Sequence, residues 1–549
     1  MSGPEVVIFG AGVNGAGLFR DLCEQGVECL IVDKGDFGSG ASAAPSRLIH
    51  GGLKYLETGE FRLVAQSTLE RNLLLANAPH CVAPLETMVP IFSWWRGVPA
   101  AVRTLIGSTT APRSRGAVLV KIGLAIYDHY GSRHRAMPRH RMQGRAATLA
   151  EFPGLTPAIV ASGRYYDAKI TRPERLVYEL VADGLAANPR AAALTYVGLK
   201  SRREGVLVFE DAEGALIETR PRVVVNAAGP WIDQVNEALG RSTKMIGGTK
   251  GSHVLLRHDA LLKTLGDRMI YFEADDGRIC LAYAYEGLAL VGSTDIPAGD
   301  PDAARCEDEE IDYFLGRLRA LTPSLSFSRA DVVFAYCGVR PLPASDASHP
   351  GLISRDHSMP VLEAESARPF PIVSLVGGKW TTFRGFAEEA ADLVLKRLGR
   401  ARSVSTANLP IGGGRGLPTT NKARADWIAD VRNQVNVPAE RLETLLTRYG
   451  TTARDIARHV STFADDRPLA AGVTRGEIDY IARRERVTRL ADIVLRRTTL
   501  AISGALTQSS LAEIAAVAAT ALGWTAERRD AEIGEVAASL QRFNHFRVA

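Results

Sequence analysis

The sequence is poor in cysteine and has no long apolar run. Its six cysteines form no C-x-x-C pair and no other spacing typical of zinc or of a redox disulfide. We therefore expect no metal site and a reducing compartment. No window approaches roughly 18 uninterrupted apolar residues, which argues against a transmembrane helix. The N-terminus lacks the pattern of a secretory signal, so we expect a cytoplasmic protein, or one peripheral on the cytoplasmic face of the inner membrane.

The sequence also lacks a strong excess of charge of one sign. It has 66 Lys and Arg against 61 Asp and Glu, and the net charge of +5 is slight for 549 residues. One segment is an exception, because residues 96–145 contain ten Lys or Arg and one acid, Asp128. Trp94 and Trp95 precede it, a mixture that suits either an anionic membrane surface or a basic solvated flank. No nucleic-acid-binding module surrounds this charge, so we expect no nucleic-acid partner.

The N-terminus predicts a βαβ unit. A short β-branched run ends at Phe9, a helical pattern runs from Asn14 to Gln25, and a second buried strand ends at Asp33. A βαβ unit of this kind often begins a doubly wound parallel sheet. A length of 549 residues is enough for two or three domains.

Between the first strand and the helix lies the pattern G-x-G-x-x-G. Gly10 permits the tight turn, Gly12 lets the backbone approach a pyrophosphate, and Gly15 lets the helix pack closely on the strand. Asp33 is placed to accept hydrogen bonds from ribose hydroxyls. The sequence therefore predicts a dinucleotide site, but this pattern alone does not separate FAD from NAD.

The middle of the chain, from Val197 to Ala335, has a different pattern. Short strand-like runs are separated by Gly, Asp and Pro turns, which predicts an inserted antiparallel sheet. Its predicted members are Val206–Phe209, Arg222–Val225, Val254–Leu256 and Leu288–Val291.

The segment Pro410–Gly416 contains four glycines and predicts a flexible joint. Beyond it, residues 418–549 carry helical patterns and almost no strands. We predict a separate helical C-terminal domain after a linker at 401–417.

Seven segments in collinear order resemble the FAD-dependent glycerol-3-phosphate dehydrogenases, within the D-amino-acid-oxidase-like flavoprotein superfamily. The segments are Ser42–Leu56, Asn226–Trp231, Lys250–His253, Gly292–Asp295, Gly338–Leu342, Ser354–Asp356 and Gly377–Thr382. The resemblance covers roughly the first 400 residues, whereas the C-terminal part matches only in length and helical character.

The resemblance implies an α/β fold: a Rossmann-like FAD-binding domain with an inserted antiparallel β substrate (cap) domain and an all-α C-terminal domain. We expect the FAD-binding domain at about 1–80, 150–230 and 335–400, and the substrate domain at about 80–150 and 230–335. The implied reaction is oxidation of a small polyol phosphate, with sn-glycerol 3-phosphate giving dihydroxyacetone phosphate as the leading case. The implied partners are FAD, a quinone as electron acceptor and a second copy in a homodimer.

The chemistry of the reaction selects the candidate catalytic residues. A reduced flavin carries negative charge, which Lys379 at the start of a helix would stabilise. Phosphate recognition favours arginine, and the resemblance places Arg340 and Arg355 around the substrate. Removal of the hydroxyl proton needs a base, for which His253 is the first candidate and His50 the second.

The resemblance adds further residues around the two ligands. It places Lys54 and Tyr55 near the substrate, and Thr294 is a candidate for orienting the substrate or the flavin. The predicted cofactor-binding residues are Gly10, Gly12, Asn14, Gly15, Asp33, Ser42, Ser46, Arg47, Gly51, Gly52, Gly229, Trp231, Gly378, Lys379 and Thr381.

The sequence departs from the family pattern at several positions. Lys54 stands where arginine is usual, which keeps the charge but loses the bidentate fork. Ala41 and Pro45 replace hydroxyl residues, and Arg172-Pro173-Glu174 replaces a pair of aspartates. These changes leave a four-carbon relative such as erythritol phosphate open as the substrate.

Several alternatives remain at this point. An oxidase of the same architecture would make hydrogen peroxide, and an amine oxidase on this fold is disfavoured by the number of cations near the site. A flavin-containing sensor or scaffold without catalysis is a further alternative. Direct use of NAD as electron acceptor is disfavoured, because only one dinucleotide pattern is evident in the sequence and FAD would occupy it.

Overall fold

A computed structural model describes residues 3–56, 59–95, 116–132, 137–274, 276–344 and 356–548. The strands are β1 (Val6–Phe9), β2 (Cys29–Val32), β3 (Leu48–Ile49), β4 (Val82–Ile91), β5 (Arg141–Gly144), β6 (Ala161–Ile170), β7 (Ala192–Leu194), β8 (Gly198–Arg203), β9 (Val206–Glu210), β10 (Leu216–Thr219), β11 (Val223–Asn226), β12 (Thr249–Leu256), β13 (Arg268–Glu273), β14 (Ile279–Tyr285), β15 (Leu288–Gly292), β16 (Ile296–Pro297), β17 (Val332–Arg340), β18 (His357–Ser358), β19 (Val361–Leu362), β20 (Ile372–Ser374), β21 (Val376–Gly377), β22 (Pro468–Ala470) and β23 (Val473–Thr474).

The α-helices follow the same order along the chain. They are α1 (Val13–Glu24), α2 (Phe61–Asn77), α3 (Ala117–Tyr130), α4 (Arg145–Glu151), α5 (Pro173–Ala187), α6 (Ile232–Ala238), α7 (Asp259–Leu265), α8 (Asp308–Leu321), α9 (Phe383–Leu398), α10 (Asn421–Arg432), α11 (Ala439–Tyr449), α12 (Ala453–Thr462), α13 (Arg475–Arg484), α14 (Leu490–Asp492), α15 (Gln508–Leu522) and α16 (Ala526–Asn544).

The first sheet is six-stranded, in the order β19-β20-β11-β1-β2-β7. All its pairings are parallel except that of β19 with β20. Strands β1, β2 and β11 are buried along their whole length, as a parallel sheet covered on both faces requires. The predicted βαβ unit is confirmed as β1–α1–β2, and α1 packs between α5 and α9.

The second sheet has ten strands and is mostly antiparallel. Its main path is β16-β12-β15-β14-β13-β4-β6-β3, with β17 paired to β12 and β5 to β6. It contains the predicted runs Val254–Leu256 and Leu288–Val291 as parts of β12 and β15. The antiparallel sheet is therefore present, although its membership differs from the expectation.

Three features correct the sequence-based prediction of this sheet. The run Arg222–Val225 was wrongly placed in it, because β11 pairs with β1 and β20 in the parallel sheet. The run Val206–Phe209 lies in a separate three-stranded sheet of order β10-β9-β8. Strands β6 and β17 belong to the ten-stranded sheet although most of each lies in ranges expected for the cofactor domain. The chain thus crosses between the two large sheets more often than the local patterns indicate.

The glycine-rich segment Pro410–Gly416 is packed, not loose, so the predicted flexible joint is wrong. A Cβ on Gly413 would lie 2.0 Å from the carbonyl oxygen of Tyr449. A Cβ on Gly414 would lie 2.4 Å from the carbonyl oxygen of Asn77, and the Gly412 N–H donates to Asp183 over 3.1 Å. These glycines permit close backbone contact, a use of glycine that composition alone does not separate from flexibility.

The C-terminal helices α10–α16 confirm the predicted helical domain, with the short hairpin β22–β23 as the one addition among the described residues. Their apolar residues share a core with the ten-stranded sheet, in which Ile481, Ile493 and Ile514 pack with Leu290 and Phe334. Among the described residues, no helix combines the length and apolar character needed to cross a bilayer.

The packing at Gly413 gives a prediction of stability. We expect Gly413→Ala to lower the melting temperature, because its Cβ would overlap the backbone of Tyr449 and overpacking typically costs about 1–3 kcal/mol. The control is Gly534→Ala in α16, where a Cβ meets nothing within 4 Å and alanine favours the helix. Thermal unfolding of the two purified variants makes the comparison, and equal melting temperatures would contradict the packed joint.

Candidate active site

A cavity of about 750 Å³ lies where the two large sheets meet. One wall contains Phe9 and Val32, the last residues of β1 and β2, and Ala227, which follows β11. The opposite wall contains His253 on β12 and Val339 on β17. In open α/β sheets, ligands bind at the carboxyl ends of the parallel strands, which is the position of this cavity.

The N-terminus of α1 points into the cavity because two glycines bring the backbone close together. Gly10 has φ +95°, and a Cβ on Gly15 would lie 1.9 Å from the Gly10 carbonyl oxygen. Gly12 and Asn14 line the cavity, and Ser42 Oγ accepts a hydrogen bond of 2.9 Å from the Val13 N–H. The remaining N–H groups of the first turn have no partner within the helix, so this end suits a pyrophosphate.

Asp33 fixes the turn after β1 from the end of β2. Its Oδ2 accepts a 2.6 Å hydrogen bond from the Ala11 N–H and its Oδ1 a 2.9 Å bond from the Gly35 N–H. Burial raises the pKa of Asp33 to about 6. The carboxylate thus lies at the cavity wall, in the position expected for contact with a ribose.

Asn14 has an acceptor that the described residues leave unused. Its Nδ2 donates to the Gly377 carbonyl over 3.4 Å, whereas its Oδ1 is buried without a hydrogen-bond partner. A buried polar atom of this kind costs free energy unless a ligand satisfies it. The orphaned oxygen therefore fits a cavity that holds a polar ligand.

Lys379, Tyr55 and His50 meet at one end of the cavity. Lys379 Nζ donates to Ser67 Oγ over 2.9 Å and lies 4.6 Å from the centre of the Tyr55 ring. The His50 backbone is held by Thr381, whose hydroxyl accepts from the His50 N–H at 3.1 Å. The sequence placed these residues in different segments, and the fold brings them together.

His253 is buried in the wall formed by β12. Its Nε2 lies 2.8 Å from Ser46 Oγ, its ring stacks on Tyr336 with centroids 4.9 Å apart, and its Nδ1 has no hydrogen-bond partner. A Cβ on Gly292 would lie 2.1 Å from this ring, so glycine makes the space for it. Burial lowers the pKa of His253 to about 3, with Arg340 and then Arg47 adding to the effect.

Arg340 ends β17 and lies across the backbone of β12. A Cβ on Gly251 would lie 2.0 Å from Arg340 Nη2, so the guanidinium needs glycine there. Nη1 donates to Asp295 over 3.0 Å and Nη2 donates to the Thr294 carbonyl over 3.1 Å. Gly251 and His253 are two residues apart on β12, which brings the cation and the imidazole to the same part of the cavity.

Most of the predicted residues line this one cavity. They are Gly10, Gly12, Asn14, Asp33, Ser42, Ser46, His50, Tyr55, Gly229, Trp231, His253, Arg340, Gly378, Lys379 and Thr381. Arg355 and the side chain of Lys54 lie outside the described part of the chain.

Five predicted residues are not part of the cavity lining: Gly15, Gly51, Gly52, Arg47 and Thr294. The Thr294 hydroxyl donates to Glu310 over 2.7 Å and accepts from the Ser252 N–H at 2.9 Å. The Thr294 hydroxyl thus supports the cavity wall, and its contact with a ligand stays a prediction.

Arg47 is likewise held by neighbouring side chains, and its contact with the cofactor stays a prediction. Its guanidinium is buried, forms an ion pair with Glu174 at 2.7 Å and lies against the rings of Tyr285 and Tyr336. The segment Arg172-Pro173-Glu174 therefore supplies a structural partner. Sequence reasoning missed that pair because the partners are 127 residues apart.

Sequence reasoning also missed a pair at the cavity rim. Lys34 Nζ lies 4.2 Å from the centre of the Trp231 ring and 2.7 Å from Asp302, which also accepts from the Trp231 ring N–H. The one feature of the sequence that could have indicated Lys34 as a cavity residue is its position directly after Asp33.

Away from the cavity, the fold brings His80, Cys81 and Glu179 within 4.8 Å of one another. The expectation of no metal site was based on the spacing of the cysteines, which does not show that Cys81 lies beside His80 and Glu179. His80 Nε2 and Glu179 Oε2 are 2.7 Å apart, a direct hydrogen bond between the two side chains.

Comparison with known proteins defines the class to which this chain belongs. The family model described as "FAD dependent oxidoreductase" matches residues 5–393, and the model described as "C-terminal domain of alpha-glycerophosphate oxidase" matches residues 404–529. The glycerol-3-phosphate dehydrogenase of Synechocystis sp. is 30% identical, over 96% of this chain and 95% of its own length. The chain therefore belongs to the family of FAD-dependent glycerol-3-phosphate dehydrogenases.

Two further relatives bear on the fold and the substrate. The D-erythritol 1-phosphate dehydrogenase of Brucella abortus is 29% identical, over 90% of this chain and 94% of its own length. The structure of the glycerol-3-phosphate dehydrogenase from Bacillus halodurans complexed with FAD superposes with a TM-score of 0.74, at 22% identity, over 98% of this chain and 95% of that one. That likeness confirms the fold class.

The cofactor of the family is FAD, and the residues of the cavity fit it. The glycine cradle at Gly10 and Gly12 faces the helix N-terminus, Asp33 stands at the end of β2, and Asn14 Oδ1 offers an unused acceptor. A cavity of 750 Å³ is also large enough for a cofactor-sized ligand.

The pKa of Asp33 predicts a pH dependence of FAD binding. Ribose hydroxyls donate hydrogen bonds to the ionised carboxylate of Asp33. In the protein without FAD, this carboxyl has a pKa of about 6, so it is mostly protonated at pH 5 and mostly ionised at pH 7. FAD affinity of the apoprotein should therefore rise by about tenfold from pH 5 to pH 7. Titration of flavin fluorescence measures it. Asp33→Asn should bind FAD more weakly at pH 7 and lose this pH dependence, whereas an unchanged profile in the variant would contradict the assignment.

Proposed function

We propose that this chain oxidises a small polyol phosphate, with sn-glycerol 3-phosphate as the first candidate and dihydroxyacetone phosphate as its product. The observation that carries the proposal is the presence of His253 and Arg340 in the same cavity as the dinucleotide cradle. One is a neutral proton acceptor and the other a cation suited to phosphate. The names of the relatives support the same reaction class.

When bound, FAD supplies the acceptor for the hydride that leaves the substrate carbon. Arg340 binds the phosphate, and Asp295 fixes the direction of its guanidinium through the 3.0 Å ion pair. Lys379, beside Tyr55, supplies positive charge where negative charge develops during the reaction.

His253 takes the hydroxyl proton as the hydride leaves. It is neutral at pH 7 because burial, Arg340 and Arg47 lower its pKa to about 3. A phosphate dianion on Arg340 offsets part of that positive charge, so substrate binding raises the basicity of the imidazole. The same cation thus recognises the substrate and keeps the base unprotonated before the substrate arrives.

A four-carbon substrate is the second candidate. The D-erythritol 1-phosphate dehydrogenase of Brucella abortus and the glycerol-3-phosphate dehydrogenase of Synechocystis sp. are almost equally similar to this chain, at 29% and 30% identity. Both substrates carry the phosphate that Arg340 would bind, so the two candidates share the proposed chemistry and differ in chain length.

Variants of the two residues test their roles separately. Arg340→Gln should raise KM for the phosphorylated polyol by about 10- to 100-fold, since hydrogen bonds to charged groups contribute about 1.5–3 kcal/mol. His253→Asn should lower kcat by about 10²- to 10⁴-fold with a smaller change in KM. Steady-state kinetics with an artificial electron acceptor measures both.

The matched control is Arg329→Gln, which removes an exposed cation that pairs with Asp308 and Asp312 in the first turns of α8 and does not line the cavity. It should leave both constants within about twofold of the parent. An Arg340→Gln enzyme with unchanged KM, or a His253→Asn enzyme with unchanged kcat, would contradict the proposed roles.

We propose that the electron acceptor is membrane-bound, such as a quinone, and an exposed apolar surface supports this proposal. Phe92, Trp94, Trp95 and Ile122 are exposed large apolar residues, with Trp95 exposed to 70%. The Ala117 N–H donates to the Ser93 carbonyl over 2.9 Å, which fixes the start of α3 beside these tryptophans. Residues 96–115 and 133–136 of the basic segment lie outside the described residues. Apolar anchors beside basic residues suit the surface of an anionic membrane.

We expect Trp94→Ser/Trp95→Ser to reduce binding to vesicles that contain an anionic lipid, because the double variant removes the largest exposed apolar anchors. Co-sedimentation measures the bound fraction. The control is Leu216→Ser, which changes a 55% exposed apolar residue on β10, in the separate three-stranded sheet. Equal binding by the double variant and the control would contradict a membrane surface at the tryptophans.

A further inference from the structure

The loop after β2 is held from behind by the C-terminal helices. The Asp36 side chain is fully buried and accepts hydrogen bonds from Arg496 Nε at 2.6 Å and from Arg497 Nη1 at 2.7 Å. Arg497 Nη2 also donates to the second oxygen of Asp36 at 2.9 Å. The three partners come from opposite ends of the sequence, 460 residues apart.

The same loop forms one side of the cofactor cavity. Asp33, Lys34 and Gly35 line the cavity before Asp36, and Ser39 lines it after. Within the loop, the Ser39 N–H donates to the Asp36 carbonyl over 3.1 Å. Asp36 therefore faces away from the cavity while its neighbours on both sides face into it.

A second loop, between β7 and β8, is held by the same C-terminal residues. The Tyr196 hydroxyl donates to Asp492, and Arg496 Nη2 lies 3.4 Å from that hydroxyl. The Tyr196 N–H donates to the Gly35 carbonyl over 3.2 Å, and Val197, the next residue, lines the cavity. Two cavity loops thus share one support.

The local backbone of the C-terminal domain suits this contact. Ile493–Arg497 is a π-helical turn that directly follows α14. In an α-helix, adjacent side chains point about 100° apart, so two consecutive residues rarely reach one partner. The wider turn brings both Arg496 and Arg497 onto Asp36, and such turns occur often at functional sites.

From these contacts we infer that the C-terminal domain acts as a clamp on the adenosine side of the cofactor site, with Arg496 and Arg497 as positioning residues for FAD. Burial of a multiply paired carboxylate fixes the loop in one conformation, because breaking one pair leaves a buried charge poorly compensated. The inference concerns cofactor retention and does not depend on which polyol phosphate is oxidised.

The clamp implies a reciprocal coupling. If docking of the C-terminal helices orders the loop that binds FAD, then bound FAD stabilises that docking by the same factor. Hydrogen exchange at Ile493–Arg497 should therefore be slower in the holoenzyme than in the same chain stripped of FAD.

The chain offers a matched pair of variants for the direct test. Arg496→Gln removes one of two arginines from buried Asp36, whereas Arg441→Gln removes one of two arginines from buried Glu477, inside the C-terminal domain. The measurement is the rate at which FAD leaves the full-length holoenzyme, followed by the rise in flavin fluorescence on dilution.

We expect Arg496→Gln to speed FAD release by about tenfold or more, with Arg441→Gln within about twofold of the parent. Tyr196→Phe, which removes one hydroxyl and keeps the packing, should speed release by about threefold to tenfold and serves if Arg496→Gln does not fold. Unchanged release in Arg496→Gln or Tyr196→Phe would overturn the inference. Equal acceleration in Arg441→Gln would also overturn it, since general loosening of the domain would then explain the effect.

Discussion

The candidate cofactor site depends on one close approach of backbone to backbone, between Gly10 and Gly15. A Cβ on Gly15 would lie 1.9 Å from the Gly10 carbonyl oxygen, so any side chain there would push α1 away from β1. With both glycines in place, the N-terminus of α1 opens into the cavity between the sheets and presents its unpaired N–H groups to an anion. Asp33 then secures the turn from the neighbouring strand through the Ala11 N–H.

The second sheet brings an imidazole and a guanidinium to the cavity. Strand β12 carries His253, and Arg340 at the end of β17 lies over the same strand. Both side chains need a glycine beside them, Gly292 for the imidazole and Gly251 for the guanidinium. Glycine within a strand often marks such a close approach. The cavity therefore combines a glycine turn from a parallel sheet with an imidazole and a guanidinium from an antiparallel one.

The parts of the structure that could be predicted from the sequence are those encoded by short segments. The β1–α1–β2 unit and its glycines are contiguous, and the family segments contain His253, Arg340 and Lys379, which line the cavity. The rest depends on partners that are remote in sequence. Arg47 forms a buried ion pair with Glu174, and the Thr294 hydroxyl donates a hydrogen bond to Glu310. Neither Arg47 nor Thr294 lines the cavity. The glycines at 412–414 and the strand β11 were wrongly predicted because packing and strand pairing decide their roles.

The visible spectrum of the purified holoenzyme under anaerobic conditions tests most directly that this cavity holds FAD beside a polyol phosphate. Addition of sn-glycerol 3-phosphate should bleach the flavin absorbance near its long-wavelength maximum, whereas unphosphorylated glycerol should leave it unchanged. Bleaching by erythritol phosphate alone would keep the site chemistry and select the four-carbon substrate. A flavin spectrum that none of the phosphorylated polyols changes would contradict the account.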